Sequence, residues 1–520
     1  MNKLIKRTAS MLTAAVLAVG LVPFGANSLK ADALTYESFT YTVTDNVATI
    51  TRCSSKASSV TVPSEINGVP VKAIGDYAFQ KTQVKECIIE DGIESIGNYA
   101  FFEGSYLANI VVPDSVTSVG LNAFSSTAWY NVVSSGFVIV GDGILYKYGG
   151  YEVDPVIPDT VKVISLEAFA DNILIKTITI PDSVVEIRDR AFSNCLKLTT
   201  VELPSSIKKY GDYVFRTCMS LSKVVFPEGT PAIPQYMFFD CGYLSNVTIP
   251  STVKEIGQYA FYNCLSLASL DLPDSLETIG DAAFYGCKYL SDVEFPSTLK
   301  SLGFWTFRDC FRLESVIIPD SLTEIPEGAF YACYALDGVT IPSSVKKIGK
   351  EAFFDCLELS SIVIPDSVTF IDSYAFFHCV NLSSVTLGAN VETLKNQSFG
   401  KCYLLKDMTI PESVTSMASN VFYHIDDITL NVTAGSYAEE YAKENGLSYK
   451  HSGEASVILG DLNGDENLNV VDVSILAKAA IGLYTLSAEQ FAAADMNGDG
   501  EIKVNDVAKL AKYVVTGKFA

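Results

Sequence analysis

Oxygen-bearing side chains recur at fixed spacing near the C-terminus. Asp461, Asn463, Asp465, Asn469 and Asp472 take positions 1, 3, 5, 9 and 12 of one twelve-residue loop. Thirty-four residues later Asp495, Asn497, Asp499 and Asp506 repeat positions 1, 3, 5 and 12. Asn467 and Glu501, at position 7, offer backbone carbonyls. Calcium needs several hard oxygens around one centre, and a loop of this length delivers them at these spacings. A single D-x-N-x-D match is commonly just an acidic turn. Two in tandem, each running into an apolar-periodic helix (Val473–Ala480 and Val507–Val515), point to two calcium ions. Two departures stand out: Glu466 replaces the Gly that makes the sharp turn, and Lys503 replaces the oxygen donor at position 9. Each is expected to weaken binding at its own loop.

No comparable set supports catalysis. Only three histidines occur, His378, His424 and His451, and there is no G-x-S-x-G elbow, H-E-x-x-H or Gly-rich phosphate loop. Carboxylates such as Asp274, Asp320 and Asp366 recur just after a strand-ending proline, which makes them turn residues rather than an acid/base pair. A formal charge of −23 argues against nucleic acid and anionic membrane as partners. The chain reads as non-enzymatic.

The loops close a chain that is otherwise repetitive. Phe192 to Phe422 recur every 23 residues without a slip, and so do the ten cysteines from Cys195 to Cys402. A period in the twenties marks a solenoid, in which one coil cannot bury its apolar face without neighbours. In the coil Leu244–Leu267, Val247 and Ile249 share one side of a strand, and Pro250 stops the ladder. Val253, Ile256, Ala260, Phe261 and Cys264 continue the inward set through a turn and a short helical segment, with Gly257 expected to supply a positive φ.

Twelve cysteines would ordinarily mean disulfides in an exported chain. Ten at one repeat position read instead as a column of buried free thiols. Zinc is disfavoured, because closely spaced Cys pairs with His partners are absent. Cys53 and Cys87 fall outside the column, and the sequence gives no reason for them. Phe239, Tyr262, Tyr285, Tyr331, Phe354 and Phe377 follow the core Phe in successive coils, interrupted by Arg308. This file either stacks along the solenoid or offers a ligand face for sugars or proteins. Stacking is the simpler reading. The outward strand positions Thr248, Asp271, Glu294, Thr340 and Thr386 make a second candidate surface.

In chain order, residues 1–33 read as a signal peptide: Lys3, Lys6 and Arg7, an apolar core Met11–Val22, and Ala31-Asp32-Ala33 as cleavage site, with Ala26 as an alternative. No later apolar run is long enough to span a membrane. Residues 34–59 alternate as a β-hairpin cap around Asp45-Asn46. The solenoid occupies 60–450, with an irregular coil at 129–154 that reads as a two-stranded excursion, either a binding lobe or a tolerated insertion. Near its end, A-G-S-Y-A-E-E-Y-A-K-E-N-G reads as a helix stopped by Gly446. Residues 451–456 form a linker before the calcium module at 457–520.

The pattern I-P-x-S-V-x-x-I-G-x-x-A-F-x-x-C-x-x-L, repeated about fifteen times over roughly residues 58–449, resembles the BspA-like bacterial leucine-rich repeat family. That resemblance implies a secreted or surface-displayed right-handed solenoid used in adhesion and protein binding, with no common catalytic activity. Residues 457–520 resemble a type I dockerin, which ends each loop with Asp and lacks an entering helix. The resemblance implies docking onto a cohesin module of a scaffoldin in a cellulosome-type polysaccharide-degrading assembly. Val470-Val471 and Val504-Asn505 match the positions that commonly set cohesin choice, and Ala477, Lys478, Ala511 and Lys512 complete the implied contact set. The two pairs differ, so the two halves need not be interchangeable.

The expected fold is therefore an α/β repeat solenoid of parallel strands, about 23 residues per coil, plus a small all-α module of two EF-hand-like loop–helix units. The expected role is a secreted, extracellular subunit, held at the cell surface or in a cellulosome through cohesin. Its solenoid ligand is an unnamed protein or polysaccharide. The competing readings are a carbohydrate-binding adhesin and an accessory with unrecognised glycoside hydrolase activity.

Overall fold

The computed structural model describes residues 33–54, 56–452, 459–463 and 467–517. The signal-peptide reading thus lies outside the described residues except for Ala33, as do most of the linker and both Asp465 and Glu466. The chain divides into two compact units, 1–132 and 133–520.

In the first unit, Phe39–Thr44 pairs antiparallel with Val47–Cys53. Asp45 and Asn46 both take positive φ, 49° and 60°, as a two-residue turn between twisted strands requires. The second hairpin strand then pairs parallel with Val69–Ile74, which continues to Ser95–Ile96 and Ser118–Val119. The hairpin thus covers the first coil. Cys53 donates its backbone N–H to Ala78 O, as Phe79 does to Ala100 O, so it holds the place of the core Phe in the capping layer. The buried Cys87 thiol lies near enough to feel Cys53, and burial first, then that neighbour, pushes it up.

The second unit also begins with a hairpin. Phe137–Val140 pairs antiparallel with Ile144–Tyr148, and Gly141 and Gly143 take positive φ between them. Its second strand starts a parallel ladder through Val163–Ile164, Glu186–Ile187 and Lys209–Tyr210. The excursion at 129–154 therefore supplies the first layer of this unit's stack.

Each coil has two short strands. Asn246–Thr248 pairs parallel with Lys223–Val225, and Glu255–Ile256 pairs with Ala232–Ile233 and Thr278–Ile279. The second strand escaped the sequence reading because two residues are too few for an alternation to show. The short helical segment expected after it is instead a run of turns. Amides there alternate in destination. Ala260, Tyr262 and Cys264 N–H bond within the coil to Gly257, Tyr259 and Phe261 O, whereas Tyr259, Phe261 and Asn263 N–H reach Asp281, Ala283 and Tyr285 O on the next coil. This alternation needs left-handed backbone at Tyr259 and Asn263 (φ 55° each), two residues either side of Phe261. Left-handed geometry costs a non-Gly residue roughly 1–2 kcal/mol, offset here by the added bonds between coils.

Gly257 does not take the positive φ expected of it. A Cβ there would lie 2.5 Å from Gln235 N, so Gly is needed because adjacent coils' backbones nearly touch.

The core is a file of fully buried rings, with Phe261 stacked 5.2 Å from Phe238 and 5.3 Å from Phe284. The ten cysteines of the column are all free and buried, and each thiol donates to the carbonyl of the preceding coil's core Phe, as Cys264 does to Phe238 O at 3.3 Å. Burial pushes the Cys264 thiol well above its ordinary value. They pack as small apolar groups, as expected, and each adds a second donor to a carbonyl that already accepts a backbone N–H within its own coil.

Among the described residues there are five helices: α1 Ala128–Val133, α2 Tyr437–Glu444, α3 Val470–Ala480, α4 Ala488–Ala494 and α5 Val504–Thr516. None is long and apolar enough to cross a membrane. α2 is the expected closing helix, with Gly446 left-handed beyond its end. Its Glu439 accepts from Gly435 N at 2.6 Å and pairs with Lys443 at 2.5 Å, which pushes the carboxyl down to about 2. Helices α3 and α5 share a small separate core of Leu462, Leu476, Ala494, Met496 and Leu510.

Candidate metal centre and docking surface

Helices α3 and α5 begin three residues earlier than their apolar periodicity indicates. Asp472 and Asp506 are the third residues of these helices and accept from the backbone N–H at the caps, Asn469 and Lys503, both at 2.9 Å. The last loop residue is therefore also a capping residue, and the helix grows out of the loop. The sequence reading also left out α4, which runs straight into the second loop with Asp495 at its C-cap. Small alanines and the Ser487–Gln490 capping box were the available signal.

The second loop is wound around its own ligands. Asp495 Oδ1 accepts from Gly498 N at 2.7 Å and Asp499 N at 3.1 Å, and its Oδ2 accepts from Gly500 N at 2.8 Å. These amide bonds, Gly500 first, hold its carboxyl below the usual range. Asn497 Oδ1 accepts from Asp499 N, and Asp499 Oδ1 from Glu501 N, at 2.8 and 2.9 Å. Gly498 and Gly500 take φ of 75° and 79°, which the tight winding requires. Lys503, the odd residue at position 9, turns its ammonium onto the Glu501 carboxylate. Asp506 is fully buried, and its Oδ1 has no hydrogen-bond partner among the described residues.

The first loop uses its closing residue differently. Asp472, equally buried, accepts through Oδ1 from Leu462 N at 3.0 Å and Asn463 N at 3.3 Å. Asn469 caps α3 through Val471 N at 2.8 Å and donates its amide to Asn467 O at 2.9 Å. Among the described residues no three His, Cys, Asp or Glu side chains converge as a ready metal cluster. The carboxylates bond to loop amides instead. The donor chemistry nevertheless fits a hard cation: all-oxygen side chains in both loops, and a buried carboxylate oxygen at Asp506 that lacks a partner.

The cohesin-contact candidates lie on the surface of these helices. Val470 (71% exposed) and Val504 (69%) are each the first residue of their helix, with Val471 and Asn505 exposed beside them. Lys478 and Lys512 are exposed, and Ala477 and Ala511 half-buried. Both valines thus leave most of their apolar surface to solvent. Ile481, Leu483 and Tyr484, after α3, are exposed apolar residues that the sequence reading did not single out.

On the solenoid, the aromatic file proves to be a stack. Phe239–Tyr262 rings lie 4.5 Å apart at 4°, Tyr262–Tyr285 4.7 Å apart, Tyr331–Phe354 4.5 Å apart at 3° and Phe354–Phe377 5.0 Å apart. Arg308 fills the gap, 5.5 Å from the Tyr285 ring and 4.0 Å from that of Tyr331. The ring faces are covered by neighbours, leaving edges at the half-buried surface. The outward strand positions are exposed as expected, and the apolar residues among them include Ile317 (70%) and Val363 (64%). A groove of about 760 Å³ runs beside Ile317, bordered by Asp292, Glu294 and Asp320. These three carboxylates have no ion-pair partner among the described residues. Elsewhere carboxylates pair from coil to coil, as Glu277 does with Lys300 at 2.5 Å and Glu327 with Lys350 at 3.1 Å.

Comparison with known proteins agrees with this division. Residues 36–147, 152–268, 254–379 and 323–442 match the BspA type leucine rich repeat region, and residues 459–515 match the dockerin type I domain. No curated protein sequence matches the chain. Similar solved structures include a leucine-rich repeat protein from Bacteroides ovatus, 22% identical, covering 81% of this chain and 99% of its own, with a TM-score of 0.45. A leucine rich cell surface protein from Faecalibacterium prausnitzii is 20% identical, covering 81% and 95%, with a TM-score of 0.32. A leucine-rich repeat protein from Eubacterium ventriosum is 18% identical, covering 74% and 92%, with a TM-score of 0.34.

Proposed function

This chain belongs to the BspA type leucine-rich repeat family and carries a type I dockerin domain, and from that premise we propose that it is a secreted, non-catalytic assembly subunit. The dockerin docks onto a cohesin module of a scaffoldin in a cellulosome-type polysaccharide-degrading assembly, and the solenoid binds a partner protein. The carrying observation is the pair of exposed valines, Val470 and Val504, each at the start of a helix whose third residue closes a candidate calcium loop.

Two calcium ions, when bound, supply charge that cross-links loop oxygens: Asp461, Asn463, Asp465 and Asp472 in one loop, Asp495, Asn497, Asp499 and Asp506 in the other. Asn467 and Glu501 offer carbonyls, and Asn469 a further oxygen. The protein's own part is to fix the helix starts. Asp472 and Asp506 cap α3 and α5, so a shift of either carboxylate moves the valines beside it.

For the solenoid, the groove beside Ile317 favours a protein partner with basic side chains, since its three carboxylates are otherwise unpaired. The adhesin reading through the aromatic file has less support, because sugars bind ring faces and those faces are stacked on one another. Hydrolase activity has little support, because the recurring carboxylates are turn residues or are ion-paired from coil to coil, and the three beside Ile317 lie exposed.

The test is capture of the full chain on immobilised cohesin modules. Capture should require calcium, reverse on chelation and fail for the Val470→Asp, Val504→Asp double variant. Capture that persists under chelation, or that survives both substitutions, would overturn the docking reading.

A further inference from the structure

We infer that the two loops of the dockerin are unequal, with the second loop, 495–506, taking calcium first and more tightly, and the first loop, 461–472, filling later. This rests on the calcium-docking reading above and adds an order to it.

The argument starts from the closing carboxylates, which occupy the same loop position and are equally buried. Asp472 Oδ1 already accepts two backbone N–H groups, from Leu462 and Asn463, and Oδ2 accepts a third from Asn469. A cation there must compete with those bonds. Asp506 Oδ2 accepts from Lys503 N, but Oδ1 is buried with no partner among the described residues. A buried charged oxygen lacking its bond is costly, so a cation that satisfies it gains where the first loop merely exchanges. A single such bond corresponds to about tenfold or more in affinity.

Loop shape points the same way. At position 6 the second loop has Gly500 at φ 79°, accepting no strain, and its N–H bonds Asp495 Oδ2. The first loop has Glu466 at that position, where a side chain disfavours the turn an EF-hand-type loop makes. In the second loop three amides close on Asp495 and one each on Asn497 and Asp499.

Lys503 is the contrary feature, a cation at position 9 of the loop said to bind first. Its ammonium is paired with the Glu501 carboxylate, and Glu501 is required there only for its backbone carbonyl. The pair is therefore neutral toward an incoming ion.

The order has a consequence for docking. At intermediate calcium the ion braces the loop beside Val504-Asn505 and not the one beside Val470-Val471, so a half-loaded protein presents one calcium-braced docking edge.

The experiment is a calorimetric calcium titration of the full, chelator-stripped chain, with circular dichroism at saturating calcium as a fold control. Two steps are expected, separated by about tenfold or more. Asp506→Asn should abolish the tight step and leave the weak one, and Asp472→Asn should do the reverse. Glu466→Gly, which leaves every liganding residue in place, should tighten the weak step alone and keeps the test decisive if Asp506→Asn fails to fold. Two equal steps, loss of the tight step in Asp472→Asn, or a Glu466→Gly effect on the tight step would overturn the order. Absence of any calcium binding would overturn the order and the calcium reading together. Ordered binding without cohesin capture would leave the order standing and overturn only the docking reading.

Discussion

The thiol of Cys264 donates to the backbone carbonyl of Phe238, one coil earlier, at 3.3 Å. The same bond recurs from Cys195–Phe169 to Cys402–Phe376. A disulfide within this column would break two such bonds, and burial holds the Cys264 thiol well above its ordinary value, so little reactive thiolate forms. The column should therefore stay reduced even in an oxidising medium. A thiol reagent is expected to find almost nothing in the native protein, and ten or more thiols in denaturant without reductant. Near-zero reaction in denaturant would sink the free-thiol assignment.

Gly257→Ala places a Cβ 2.5 Å from Gln235 N, between two backbones that have nowhere to move. Overpacking of this kind costs about 1–3 kcal/mol. Gly242→Ala is the control, since its Cβ would meet nothing nearer than Leu265 Cδ1 at 3.8 Å, and the change should stay within about 0.5 kcal/mol. Urea midpoints of the two variants decide it, and equal midpoints would remove close approach as the reason for Gly.

Replacing Phe284 by Ala opens the stacked file between Phe261 and Phe307, which lie 5.3 Å away on either side. The loss should be roughly 3–5 kcal/mol. An unchanged thermal midpoint would contradict the core assignment.

Glu439 sets an acid limit for the C-terminal layer. Its pairing with Lys443, the Gly435 amide and His451 holds the folded carboxyl at about 2, below the 4.5 of an unperturbed group. A depressed folded value means the contribution is fully present above 4.5 and is lost as pH falls toward 2. Hydrogen exchange of α2 should therefore accelerate between pH 4.5 and 2, and Glu439→Gln should remove that pH dependence. Identical profiles for the two proteins would refute it.

Calcium should fold the C-terminal module. Its core is five small-to-medium residues, too few to hold a domain of this size without metal. A 457–520 fragment should gain helix with calcium and lose it on chelation, and Asp472→Ala with Asp506→Ala should mimic the chelator. Circular dichroism insensitive to both would refute the coupling.

What was legible in the sequence followed from periodicity and side-chain chemistry. The Phe and Cys registers, the hairpin at Asp45-Asn46, the closing helix before Gly446 and the duplicated loops all announce themselves by spacing. What was not legible depends on backbone geometry shared between coils. The left-handed pair at Tyr259 and Asn263 looks like an ordinary turn in one dimension, since tyrosine is a poor signal for positive φ. Gly257 was assigned the wrong duty for the same reason: its neighbour in space, Gln235, is a coil away. The difference between Asp472 and Asp506 is invisible in sequence, because both are the same residue at the same loop position.

The alternating amides of the turns make length a quantised property. Phe261 N–H bonds to the carbonyl of Ala283, and Phe284 N–H repeats the demand on Thr306 O of the coil after. Duplication or loss of a whole coil conserves every partner, while an insertion of a few residues in the turn run strands several donors at once. Gene rearrangements in register with the 23-residue unit would pass through folded intermediates, and others would not. Such a stack can lengthen or shorten in discrete steps while the capping hairpin and the calcium module remain as they are.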